Sequence, residues 1–315
     1  MAKISDFGFP SASGEHTIHC RLWSPDGPVR GVVQLVHGVA EHIGRYDDFA
    51  GFLAANGLAA VGDDHLGHGL SVKDDSELGW FAEEDGWEKI VRDEKTLYER
   101  MGEKFPGVPR VLLGHSMGSF IARTYLGWYP EDFAACILSG TGHTPGLVCR
   151  GGRLLAQREI RRHGSKFRSQ TLQNMAFGSY LKGIENPIGQ NDWICRDEAV
   201  IRRYGEDPLC GFTASAELMH EMMRGLEIIG SDAHQRKMRR DLPVLFIAGD
   251  ADPVGNWGKG VQIVVRRFRD VGMEDVTLKL YPGARHEVLN ELNRREVWDD
   301  VLRWIDEKIL TEPFS

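Results

Sequence analysis

Ser116 lies in the run Gly114-His115-Ser116-Met117-Gly118, a G-x-S-x-G pattern that puts a serine at the apex of a sharp turn. A serine hydroxyl is a weak nucleophile near neutral pH. It needs a base to take its proton and an acid to orient that base. Two later stretches carry such residues: Gly249-Asp250-Ala251-Asp252-Pro253 and Pro282-Gly283-Ala284-Arg285-His286-Glu287. His286 is the candidate base. Of the two acids, Asp252 is expected to orient it, because a residue already in the turn reaches a neighbouring loop more easily than Asp250 at the strand end. Backbone N–H groups must also hold the negative oxygen of a tetrahedral intermediate. Met117, directly after the serine, offers one. Val39, in the loop His37-Gly38-Val39-Ala40, offers the other.

These residues need elements that bring them together. Val111 to Leu113 is an apolar run ending at the turn, followed by a helix-compatible segment from Phe120 to Tyr129. Gly31 to Val36, Leu58 to Asp63, Ala135 to Ser139, Pro243 to Asp250 and Val276 to Tyr281 read as further strands. Weaker strands are expected over Phe7 to Ser11 and His16 to Ser24. Helical patterns separate them at Tyr46 to Asn56, Trp87 to Phe105 and Trp257 to Val271, and an amphipathic helix built on Val297, Val301, Trp304 and Ile305 follows. Strand–helix alternation predicts a doubly wound, mostly parallel sheet, with the ligand crevice at the strand ends. Ser116, Asp252 and His286 each fall just past such an end, in the order serine, acid, histidine of the α/β-hydrolase fold.

The rhythm breaks once. From about Thr141 to Arg240 no short apolar strand appears, and a helical cap over the strand ends is expected there. The chain is accordingly divided into a first core part (1–142), a cap insertion (143–240) and a second core part (241–315). Within the cap, Arg150, Arg153, Arg158, Arg161, Arg162, Lys166 and Arg168 lie close together, with only Glu159 opposing them in sequence. They read as a solvated helix face or as a surface for an anionic substrate or lipid.

The 315 residues carry a net charge of −8, which argues against general nucleic-acid binding. Five scattered cysteines without a C-x-x-C pair suit free thiols in a reducing compartment. Met1 to Pro10 has no apolar core of a leader, and no run approaches the roughly 18 apolar residues of a membrane span. A cytoplasmic location is expected. His37 with His42, and His65 with His68 after Asp63-Asp64, have the residue types of metal ligands. The glycines around them favour tight loops in which the imidazoles hold backbone groups, so no metal and no cofactor is expected. Trp80, Phe81 and Trp87 are expected to pack, and His163, His220 and His234 are not read as catalytic.

HGVAEH (37–42), DHLGHG (64–69), GHSMG (114–118), GDADP (249–253) and YPGARHE (281–287) together resemble the monoacylglycerol lipase and lysophospholipase branch of the α/β-hydrolases. DWICRD (192–197) and YGEDPLCGF (204–212) resemble cap segments of its bacterial members. The resemblance implies hydrolysis of a single-chain acyl ester without a cofactor. It implies Ser116 as nucleophile, Asp252 as acid, His286 as base, and Val39 and Met117 as oxyanion donors. One departure stands out: members working at membranes often carry an apolar helix where residues 150–168 are basic here. Two other readings share the fold. One is a serine hydrolase of short esters, thioesters or peptides; the other is a non-catalytic ligand receptor.

Overall fold

The computed structural model describes residues 2–309, so the last six residues of the expected 241–315 segment lie outside the described residues. The strands are β1 (Lys3–Pro10), β2 (Thr17–Ser24), β3 (Gly31–Val36), β4 (Leu58–Asp63), β5 (Arg110–His115), β6 (Ala135–Ser139), β7 (Val244–Gly249) and β8 (Val276–Tyr281). They form one sheet in the order β1-β2-β4-β3-β5-β6-β7-β8. β1 and β2 pair antiparallel at one edge, β2 meets β4 antiparallel, and every pair from β4 onward is parallel. β3, β4, β6 and β7 are buried along their whole length, as their continuous apolar composition requires of strands covered on both faces.

Helices α1 (Asp47–Ala55), α2 (Gly86–Lys104), α3 (Met117–Trp128), α9 (Lys259–Asp270) and α10 (Arg294–Ile309) accompany the sheet. α2 buries Trp87, Ile90, Val91, Leu97 and Met101 on one face and stops before Pro106-Gly107. Two apolar cores result. Phe49, Leu53, Val301 and Trp304 belong to one, and Ile121, Tyr125, Phe246 and Phe268 to the other. Trp80, Phe81 and Trp87 are buried.

Between β6 and β7 the chain forms helices only, among the described residues: α4 (Gly146–His163), α5 (Gln170–Phe177), α6 (Glu198–Glu206), α7 (Ala216–Ile229) and α8 (Asp232–Gln235). α4 lies along α7. β1 runs four residues further toward the N-terminus than the alternation suggests. Its Lys3, Ile4, Ser5 and Asp6 are exposed, so ladder hydrogen bonding to β2, not burial, extends it. α3 begins at Met117 and not at Phe120, because the turn at Ser116 leads straight into helical backbone.

Candidate active site

Ser116 occupies φ 52°, ψ −120°, a region costly for any residue with a side chain. Two glycines permit the turn. A Cβ on Gly114 would collide with the Gly118 carbonyl, and a Cβ on Gly118 with the Val36 and His37 carbonyls. The Ser116 N–H donates to the Ser139 carbonyl on the neighbouring strand at 2.9 Å, and Ser119 Oγ donates to the Ser116 carbonyl at 2.6 Å. The strained backbone is therefore held from both sides.

β7 and β8 deliver the other two residues. Asp252 is fully buried, and its Oδ2 lies 3.0 Å from His286 Nδ1. Its second oxygen accepts the Val254 N–H at 2.8 Å, which locks the carboxylate in place. A proton held on Nδ1 toward Asp252 leaves Nε2 bare. That Nε2 is buried and, among the described residues, has no hydrogen-bond partner. Asp250, by contrast, is exposed and accepts the Gly283 N–H at 2.6 Å, so it braces the turn leading to His286. Burial opposes a charged His286 imidazole, but the Asp252 carboxylate outweighs it and lifts the pKa above the ordinary value. The neighbouring His115, ring centroid 4.8 Å away, is pushed down to about 4 by burial and by His286. One imidazole of this pair is thus set to take protons and the other to stay neutral.

The loop after β3 is tied at nearly every group. His37 Nδ1 donates to the Gly38 carbonyl at 2.7 Å, and its Nε2 accepts the His65 N–H at 3.0 Å. His65 Nε2 lies 3.1 Å from the His37 carbonyl, with the two rings stacked at 3.8 Å. Gly38 N–H donates to Glu41 Oε1 at 2.5 Å. Ala40, at φ 57°, accepts from Tyr204 OH and from the Gly211 N–H, both at 2.9 Å. Among the described residues, the Val39 N–H has no partner in the protein. Nor has that of Met117, the first residue of α3, where helix geometry leaves N–H groups unpaired.

A cavity of about 210 Å³ joins these groups: Val39, Ser116, Met117 and His286 face it from the sheet, and Val148, Met175, Trp193 and Met222 from the helical segment. Trp193 stands 5.2 Å from the His286 ring, centroid to centroid. Sequence reasoning missed a second group at its edge. Arg45 Nη1 lies 2.6 Å from both Glu41 and Glu287, all three being buried or nearly so. Burial would raise the Glu287 carboxyl, but Arg45 brings it down to about 2. Only the adjacency of Glu287 to His286 hints at this in the sequence, since Arg45 comes from 242 positions away.

The histidines weighed as metal ligands have defined partners, and two of them fall in groups with metal-ligand side chains, His42 with Asp207 and Cys210, and His65 with Asp63 and Glu94. Both ring nitrogens of His37 are occupied, as above. His42 Nδ1 accepts the Gly44 N–H at 3.2 Å, so its proton sits on Nε2, which faces Asp207 at 2.9 Å; Cys210 is close by. His65 and His68 do not converge on one point. His65 Nδ1 faces Asp63 at 3.2 Å and Glu94 at 3.4 Å, while His68 Nδ1 faces its own loop at Leu66. Burial and the neighbouring Asp63 hold the Glu94 carboxyl well above the usual range. His163, His220 and His234 do not line the cavity, and His234 holds the Arg123 carbonyl.

The basic run of the helical segment is better balanced than its sequence suggests. Arg150 and Arg153 face Glu227 on α7, and Lys166 faces Glu77. Arg158, Arg161 and Arg162 remain exposed.

The profile of the family described as "Serine aminopeptidase, S33" matches residues 27–293. A monoacylglycerol lipase of Mycolicibacterium smegmatis is 33% identical over 96% of both chains. A mouse monoglyceride lipase is 28% identical over 95% of this chain and 89% of its own. Among solved structures, a thermostable carboxyl esterase from Bacillus coagulans in complex with glycerol superposes with a TM-score of 0.90. It is 30% identical and covers 98% of this chain and 99% of its own.

Proposed function

The chain belongs to the α/β-hydrolase family described as serine aminopeptidase, S33, and from that premise we propose that it cleaves the carboxylic ester of monoacyl lipids, monoacylglycerol above all, through an acyl-enzyme on Ser116. Ser116 Oγ attacks the ester carbonyl while His286 Nε2 takes its proton. Asp252 holds the imidazole in the right tautomer and offsets the charge it gains. The N–H groups of Val39 and Met117 hold the oxyanion; each such donor is worth about 3 kcal/mol of barrier. His286 then returns the proton to the leaving alcohol, and water cleaves the acyl-enzyme by the same route in reverse. The observation carrying this reading is the buried, partnerless Nε2 of His286, backed by Asp252 at 3.0 Å and sharing one cavity with a strained Ser116.

The cavity supports a lipid acyl chain. Phe120, Val148, Met175, Met222, Met223 and Leu226 line it with carbon and thioether groups, and methionines adapt their shape to an irregular chain. A peptide with a free amino terminus needs an uncompensated anion at the cavity edge. Glu41 and Glu287 lie there, but Arg45 binds both, Glu41 also accepts from the Gly38 N–H and the Tyr46 hydroxyl, and Glu287 from the Asn290 amide, so their oxygens are already engaged, which favours the ester. On its outer surface α4 exposes Leu147 (81%) and Leu154 (71%) along with Arg158, Arg161 and Arg162. Apolar side chains flanked by cations suit peripheral contact with an anionic lipid surface. All five thiols are free and buried, in keeping with a reducing compartment, the cytoplasm.

The test is an acyl-chain series of glycerol monoesters, a lysophospholipid and short aryl esters, on the protein and on Ser116→Ala. Preference for medium or long monoacyl chains, lost in the variant, is expected. Activity confined to short esters would move the protein to the general esterases.

A further inference from the structure

A second cavity, of about 310 Å³, adjoins the catalytic one and shares Val39, Phe177, Trp193 and Tyr204 with it. No charged side chain lines it. Its polar groups are amides, and those of Gln173, Gln190 and Asn191 make no side-chain hydrogen bond within the protein, among the described residues. Its remaining wall includes the aromatic rings of Phe177, Trp193, Tyr204 and Phe212. This composition is unlike that of the neighbouring surface hollow at His42, Arg45, Asp47 and Asp207, which is dense with charge.

That contrast bears on what can enter. A phosphate group leaving water needs a counter-charge, and an uncharged wall supplies none. Amides present both donors and acceptors, the complement of hydroxyl groups, which also do both. Aromatic faces cover the C–H surfaces of a compact polyol ring while the amides at the rim take its oxygens. The chamber begins at Val39 and Ala40, beside the proposed oxyanion loop, and because the methionine-lined cavity suits the acyl chain, the chamber is left to the alcohol part of the ester.

We propose that this amide-lined chamber is a head-group subsite for a neutral, polyhydroxylated alcohol larger than glycerol, with the chemistry of a sugar. The assignment rests on the ester-hydrolase reading above and extends it from glycerol to a larger neutral alcohol. It separates the two lipid classes that reading admits, because the same wall disfavours the charged head of a lysophospholipid.

The test uses one acyl chain, lauroyl, on four alcohols: sucrose, glycerol, ethanol and glycerophosphocholine. The quantity read is the ratio of kcat/KM for each ester to that for the ethyl ester. The full-length protein should give a sucrose-to-ethyl ratio of ten or more, with the glycerophosphocholine ester no better than the ethyl ester. In Gln173→Leu/Asn191→Leu the sucrose-to-ethyl ratio should fall about tenfold, the loss expected from one or two neutral hydrogen bonds. Because both rates come from one preparation, partial unfolding of the variant cancels. Asn191→Ala alone gives the same reading if the double variant cannot be prepared. A wild-type ratio near one, a preference for the phosphocholine ester, or a ratio unmoved by the substitutions would overturn the subsite. Failure to hydrolyse any of the four would overturn the hydrolase reading instead, and is told apart by the ethyl ester.

Discussion

Gly249 and Ala284 are pressed together so closely that a Cβ on Gly249 would collide with the Ala284 carbonyl. The first residue ends β7 and leads to Asp252; the second precedes His286 by two positions. The Ala251 N–H also donates to the Ala284 carbonyl, at 3.0 Å. Gly249→Ala should therefore separate the acid loop from the base loop. A loss of at least tenfold in kcat, with far-ultraviolet circular dichroism retained, is expected; a fully active variant would show that the two loops are not coupled.

The two neighbouring acids should differ sharply. Asp252→Asn removes the carboxylate that sets the tautomer of His286, and a loss of about 10⁴ in kcat is the scale known for that change. Asp250→Asn touches only an exposed contact to the Gly283 N–H and should change kcat by no more than a few-fold. Steady-state kinetics of both variants decides the assignment.

As the proposed base, His286 must be neutral to accept the serine proton. Asp252 raises its pKa above the ordinary 6.5 despite burial. The acidic limb of kcat/KM against pH, which reports the free enzyme, should fall above 6.5. In a variant retaining activity without the Asp252 carboxylate it should move to lower pH. A limb well below 6.5 in the native protein would contradict the raised value.

Glu287 carries a stability prediction with a defined sign. Its carboxyl ordinarily ionises near 4.5 and stands at about 2 in the fold, against the cost of burial, because Arg45 favours the anion. A depressed folded value contributes stability that is complete above 4.5 and lost as pH falls toward 2. Glu287→Gln, which removes one of the two carboxylates on Arg45 and leaves Glu41, should cost about 1.5–3 kcal/mol at neutral pH. The difference from wild type in urea unfolding should shrink as pH is lowered through that window.

The apolar and cationic face of α4 predicts salt-sensitive binding to anionic vesicles. Replacing Arg158, Arg161 and Arg162 with glutamine should weaken co-sedimentation with phosphatidylglycerol vesicles and remove its salt dependence, each cation contributing about 1 kcal/mol. Hydrolysis of a soluble short ester should stay unchanged. Binding that is indifferent to these arginines would leave only Leu147 and Leu154 as contacts.

Much of this site is legible in sequence because it sits at the ends of short apolar strands. Gly31–Val36, Leu58–Asp63, Ala135–Ser139 and Val276–Tyr281 are fixed by composition and flanking turns, and each hands a loop to one face. Gly114 and Gly118 announce a turn that only small residues permit. What sequence does not disclose is pairing at a distance. Arg45 meets Glu287, Tyr204 meets the Ala40 carbonyl, and Glu227 meets Arg153 through tertiary packing alone. Spacing carries no trace of such contacts. The same holds for the amide chamber, whose wall is gathered from residues 39 to 214.

Five cysteines lie hidden in this fold, at positions 20, 136, 149, 195 and 210, spread over both the sheet and the helical segment. A thiol reagent added to the native protein has no accessible target among them, so alkylation must wait for the molecule to open. The rate at which each cysteine is modified then becomes a clock for its own region. Cys20 and Cys136 time the opening of the sheet, and Cys149, Cys195 and Cys210 that of the cover above it. Read by mass spectrometry without any engineered probe, those clocks would tell whether the two parts come undone together or one after the other.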